Sequence, residues 1–88
     1  MKRYFILGEE KYIDIVVKSL WRENFAINSA TWELLDDKGT KAAGGDCEIN
    51  EHTISCLVAP PRAGCFELIV SYYIAPEKRK AKVIIQVD

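Results

Sequence analysis

The sequence predicts an all-β chain folded as two packed antiparallel sheets. Three observations carry this. Apolar and polar residues alternate at a period of two through most of the 88 residues, which is the spacing of a half-buried strand. Turn-forming Gly, Pro, Asp and Asn return at short intervals, as they do between the strands of a sandwich. No apolar stripe at helical spacing runs longer than two turns, so a helix would have no face to bury.

The first strand is expected over residues 3–7, followed by a turn at Gly8-Glu9-Glu10-Lys11. The second spans residues 12–19, with Ile13, Ile15 and Val17 on one face and Asp14 and Lys18 on the other. After a polar connection at 21–24, residues 25–28 are extended, with Phe25 and Ile27 inward. Residues 30–36 form the next strand: Ala30, Trp32 and Leu34 share one face, and Thr31, Glu33 and Leu35 the other. Asp36-Asp37-Lys38-Gly39 is a strong turn, because Asp bonds its own backbone at the first position and Gly relieves the last. A short strand at 40–43 is expected to end at Gly44-Gly45.

Residues 46–49 and 53–58 read as a hairpin around Asn50-Glu51-His52. Placing Ile49 opposite Ile54 puts Cys47 opposite Cys56, both inward. The run from Ala59 to Gly64 breaks the ladder, since its two prolines lack amide donors. The longest strand, residues 65–74, alternates Phe66, Leu68, Val70, Tyr72 and Ile74 without a fault. Ala75-Pro76-Glu77-Lys78 turns the chain into a last strand over 79–87, with Ala81, Val83, Ile85 and Val87 inward. Pairing Ile74 with Ala81 then sets Tyr72 against Val83 and Val70 against Ile85.

This pattern resembles the immunoglobulin-like β-sandwich of about seven strands. Trp32 stands mid-strand where such domains keep a core tryptophan, and Gly64-Cys65-Phe66-Glu67-Leu68 resembles the start of their penultimate strand. Phe66 and Leu68 replace the Tyr and Cys usual at those two positions. The resemblance is therefore to the disulfide-free bacterial and phage type. Residues 11–18, 30–39 and 73–87 are also similar to small β-sandwich proteins encoded among phage structural genes. That similarity implies a virion or virion-assembly part.

The length implies one domain over residues 1–88, with room for one core. Twelve Lys and Arg against thirteen Asp and Glu leave a net charge of -1. The basic footprint that nucleic acid or an anionic membrane surface demands is missing, so neither is an expected partner. Tyr4 to Leu7 is too short an apolar run for a signal peptide, and the expectation is cytoplasmic synthesis, with virion association implied by the phage similarity. Three cysteines, Cys47, Cys56 and Cys65, are an odd count, which predicts reduced thiols. A Cys47–Cys56 bridge is reachable under oxidant, with Cys65 left over.

Few residues carry chemistry. His52 is the one histidine, in a loop expected to be solvated and turned away from Cys47 and Cys56. The spacing Cys47-x8-Cys56-x8-Cys65 lacks the close ligand pairs of a zinc site, and Gly44-Gly45-Asp46 is too short to cradle a phosphate. The acidic pairs Glu9-Glu10 and Asp36-Asp37 sit at turns. The expectation is no catalytic residue, no metal, no cofactor and no small-molecule substrate, hence no enzyme. Lys78, Arg79, Lys80 and Lys82 read as guards of a possible edge strand.

One surface signal remains. Leu35, Ile69, Tyr73 and Ile84 point outward from three strands that an immunoglobulin-like order makes neighbours. Apolar side chains on a face that should be wet mark a candidate interface for a protein partner or self-association. The alternative reading is a carbohydrate-binding or adhesin-type module, for which Trp21, Tyr12 and Tyr73 are the available aromatics.

Overall fold

The fold comes from a computed structural model that describes residues 1–18 and 25–88. Eight strands are present among these residues: β1 (Lys2–Phe5), β2 (Lys11–Val16), β3 (Ser29–Leu35), β4 (Lys41–Asp46), β5 (Glu48–Asn50), β6 (Thr53–Val58), β7 (Gly64–Ile74) and β8 (Glu77–Val87). They form a five-stranded sheet in the order β1-β8-β7-β3-β4 and a three-stranded sheet in the order β2-β6-β5. The arrangement is all-β and compatible with a β-sandwich. The short β4 and β5, both expected from the sequence, count as strands of their own, so the described residues hold eight where the resemblance implies about seven.

The alternation explains the core. Every second residue of β3 and β7 is buried: Ala30, Trp32 and Leu34, then Phe66, Leu68, Val70 and Tyr72. Val83, Ile85 and Val87 continue the face on β8, and Ile13, Ile54, Cys56 and Val58 answer from the small sheet. These side chains pack as one cluster. Among the described residues no buried side chain is polar or charged. At about 25 cal/mol per Å² of apolar surface removed from water, this cluster is the main stabilising term.

Three expectations need correction. β7 and β8 pair with Ile74 opposite Glu77, so Val70 meets Ala81, Leu68 meets Val83 and Phe66 meets Ile85. The register lies four residues from the expected one. An even shift returns every side chain to the same face, so alternation could not choose between them. What chose was the connection: the strands continue to Ala75-Pro76, and the turn is two residues long.

The second correction concerns β4, which runs through Gly44 and Gly45 instead of stopping there. Gly45 pairs with Trp32 and Gly44 with Glu33. A Cβ on Gly45 would lie 3.2 Å from Trp32 Nε1, and one on Gly44 would lie 2.8 Å from Lys41 Cε. The indole of Trp32 lies against the backbone at Gly45, while the Lys41 side chain and the Trp32 carbonyl crowd Gly44. Third, β2 ends at Val16. Val17 is still buried on the same side as Ile13, and Ser19, Leu20 and Trp21 lie outside the described residues.

β1 was expected as a strand but its partner was not. It runs parallel to β8, with Lys2 beside Ile84 and Phe5 beside Val87. This pairing leaves the first half of β8, which carries Lys78, Arg79, Lys80 and Lys82, without β1 alongside it. Lysines on such a bare edge discourage pairing with another chain.

The β3–β4 turn is held by one carboxylate. The amides of Thr40 and Lys38 both donate to Asp36 Oδ1 at 2.9 Å, and Arg62 Nη2 donates to Oδ2 at 3.1 Å. Gly39 takes φ +81° to close the turn. The Thr40 amide bond, then the Lys38 amide and the Arg62 charge, hold the Asp36 carboxyl below its usual range. A depressed folded-state pKa stabilises the fold above the unfolded value and loses that contribution as pH falls through the folded one. Asp36→Asn keeps an acceptor but removes the charge. We expect it to melt below wild type at pH 7, with the gap closing below about pH 4. Thermal melts at the two pH values check this, and a gap unchanged in acid would refute the charge-based account.

Candidate functional site

The four outward residues singled out from the sequence lie on the outer face of the five-stranded sheet, spread over β3, β7 and β8. Leu35 is opposite Glu67, which is opposite Ile84; in the next row Glu33, Ile69 and Lys82 stand side by side. Leu35, Ile69 and Ile84 therefore surround Glu67. Lys82 Nζ lies 3.4 Å from the Glu67 carboxylate, so an ion pair crosses the middle of the trio. All three apolar side chains are half-buried.

Tyr73 stands apart, four residues along β7 from Ile69 and opposite Lys78. The Lys78 ammonium sits 5.8 Å from its ring centre. The structure brings three of the four residues together and leaves the fourth at the far end of the strand.

A second apolar face, on the three-stranded sheet, escaped the sequence reading. Tyr12 of β2 lies directly opposite Leu57 of β6. They are 57% and 40% exposed, and Val16, further along β2, is 59% exposed. Between them Ser55 Oγ donates to Asp14 Oδ1 at 2.7 Å, tying the two strands on the wet side. Ile6 and Leu7 are exposed on the segment that leads into β2, and Tyr4 is exposed on β1 of the large sheet. The signal was available: Tyr12, Asp14 and Val16 alternate with buried Ile13 and half-buried Ile15.

Tyr12 and Tyr73 belong to the outer faces of different sheets. They cannot form one flat platform for a sugar ring, and Trp21, the third aromatic of that reading, lies outside the described residues.

His52 differs from the solvated loop residue expected. Its ring stacks on Phe25 with centres 4.0 Å apart and planes 12° from parallel. Nε2–H donates to the Phe25 carbonyl at 3.0 Å, since that oxygen can only accept. An open groove of about 380 Å³ lies here, lined by Phe25, Ala26, Ile27, Ile49, Glu51 and His52. Its one imidazole is engaged with the backbone, so the groove presents mainly apolar surface.

Cys47 and Cys56 meet as the register requires, with sulfurs 3.0 Å apart. The two thiols share a hydrogen bond that either sulfur can donate; that contact holds the Cys47 thiol below its usual range, while the same contact and then burial push Cys56 up. Cys65 is exposed at the start of β7. No group of three or more potential metal ligands occurs among the described residues. Among them, no helix is long and apolar enough to cross a membrane. Comparison with family models, with curated proteins and with solved structures finds no match to this chain.

Proposed function

We propose that the chain is a non-enzymatic protein-interaction module on an immunoglobulin-like sandwich, docking through the outer face of its three-stranded sheet. The fold part of this reading is supported by strand neighbours. Immunoglobulin-like domains place their third, penultimate and last strands side by side in one sheet, and join the second to the antepenultimate in the other. Here β3, β7 and β8 are neighbours, and β2 pairs with β6. The similarity of residues 11–18, 30–39 and 73–87 to small phage structural-gene proteins suggests a virion or its assembly as the setting.

The observation that carries the docking part is the Tyr12–Leu57 pair with Val16, all more exposed than core-type residues on a solvated face need be. Fully burying an exposed Leu or Val side chain is worth about 1.5–3 kcal/mol; covering what is still exposed of these two beside the Tyr12 ring gives the nucleus of an interface. The outer face of the large sheet is the weaker candidate, because the Glu67–Lys82 pair lies across Leu35, Ile69 and Ile84.

The first occupant to test is a second copy. Molar mass by light scattering, over a concentration series, should rise above the monomer for wild type and return to it for Leu57→Glu. Leu57 is partly exposed, so the variant should fold within about 1 kcal/mol of wild type. Leu35→Glu should leave association intact. A monomer at every concentration would remove self-association. If Leu57→Glu and Leu35→Glu then also leave binding to the products of neighbouring genes unchanged, the interface reading fails.

A further inference from the structure

We propose that Cys47 and Cys56 form an oxidisable dithiol site that closes to an intramolecular disulfide, pinning the edge strand β5 to β6. The pair is built into the ladder. Asn50 faces Thr53, Ile49 faces Ile54 and Glu48 faces Ser55, so the next step sets Cys47 against Cys56. Both side chains point inward, and their sulfurs are 3.0 Å apart. A disulfide needs about 2.05 Å between sulfurs, a closure of roughly 1 Å that side-chain rotation supplies.

The backbone on either side is already held. The Cys47 amide donates to the Ala30 carbonyl at 3.0 Å, fixing it to β3 of the other sheet. Cys56 sits in β6, the central strand of the small sheet, paired on both sides. The two thiols also differ as a reactive pair should. Cys47 is half-buried and within reach of solvent, whereas Cys56 is fully buried. The contact with Cys56 lowers the Cys47 thiol and so favours its thiolate, the form that attacks. Asp46 and Asp14 lie near the two sulfurs, but no group of three or more residues among those described is placed to hold a metal ion, so oxidation suits the site better than metal binding.

The oxidant class is a hydroperoxide. The Cys47 thiolate attacks one peroxide oxygen, the O–O bond breaks, and the sulfur becomes a sulfenic acid as the first water leaves. Cys56, losing its proton, attacks that sulfur from inside and displaces the hydroxyl as the second water. Together the two thiols lose two protons and two electrons, and hydrogen peroxide, the simplest member of that class, is reduced to two waters. The product staples a three-residue strand held on one side only, by β6.

The test uses folded Cys65→Ser protein, which removes the exposed third thiol, treated with hydrogen peroxide. The expected result is an intact mass lower by two hydrogens, with one peptide linking Cys47 to Cys56, and full reversal by dithiothreitol. The oxidised form should melt roughly 5–10 °C higher, because a closed loop constrains the unfolded chain. Cys47→Ser should abolish the mass loss, and so should Cys56→Ala if it folds. The proposal is overturned if Cys47 gains two oxygens as sulfinic acid while Cys56 stays a thiol. It is equally overturned if neither sulfur reacts until the protein is unfolded.

Discussion

Replacing Leu68 with alanine should cost about 3–5 kcal/mol of folding free energy, while replacing its neighbour Ile69 should cost roughly 1 kcal/mol or less. Leu68 is fully buried at the middle of β7, and so are its cross-strand partners Leu34 and Val83. Phe66 and Val70 bury themselves on either side along the same strand. Removing three carbons there leaves a cavity that cannot collapse, because ladder hydrogen bonds to β3 and β8 hold the backbone on both sides. Residual cavity volume sets where in the range a Leu→Ala change falls, so the upper half is expected. Ile69 points the other way, half-buried beside Glu33 and Lys82. Urea unfolding of both variants checks this: the Leu68 midpoint should fall sharply with an unchanged slope. Equal losses at the two positions would mean that the inward face is wrongly assigned. Small domains hold only about 5–15 kcal/mol in total, so Leu68→Ala should approach the limit of folding.

The second large effect is expected at Trp32. Trp32→Ala should cost about 3–5 kcal/mol, and Trp32→Phe distinctly less. Trp32 is buried between Val70 on β7 and Gly45 on β4. Its indole occupies the space that a Cβ on Gly45 would need, 3.2 Å from Nε1 and 3.5 Å from Cε2. Gly45→Val should therefore destabilise by about 1–3 kcal/mol through overpacking. The two positions should also couple. In a double-mutant cycle, Gly45→Ala should be less costly beside Phe at position 32 than beside the native Trp. Far-ultraviolet circular dichroism during urea unfolding measures each variant. Strict additivity would show that the glycines answer to strand geometry and not to the indole.

Which residues face inward was legible without the structure. Alternation alone places Phe66, Leu68, Val70, Tyr72, Ile74, Ala81, Val83, Ile85 and Val87 inward; all are buried except Ile74 and Ala81, which pack half-buried against the core. Trp32 and Leu34 were read likewise. The Cys47–Cys56 contact was also legible, because a short hairpin with Ile49 facing Ile54 leaves one register. The β7–β8 register was not, since any even shift preserves the faces. Gly44-Gly45 looked like a stop because glycine weakens a strand in isolation; the close indole of Trp32 overrides that.

The candidate interface was legible only as a list of outward residues. Alternation is a local property, written into each strand by which side chains avoid water, and the sequence carries it in full. Adjacency is not local. Leu35, Ile69 and Ile84 surround Glu67 because of how three strands slide past one another. Tyr12 reaches Leu57 across 45 residues of chain through the β2–β6 pairing. β1 lies parallel to β8 at the opposite end of the sequence. Order and register are settled by the joint packing of all strands around one core, so only the tertiary structure decides which exposed residues become neighbours.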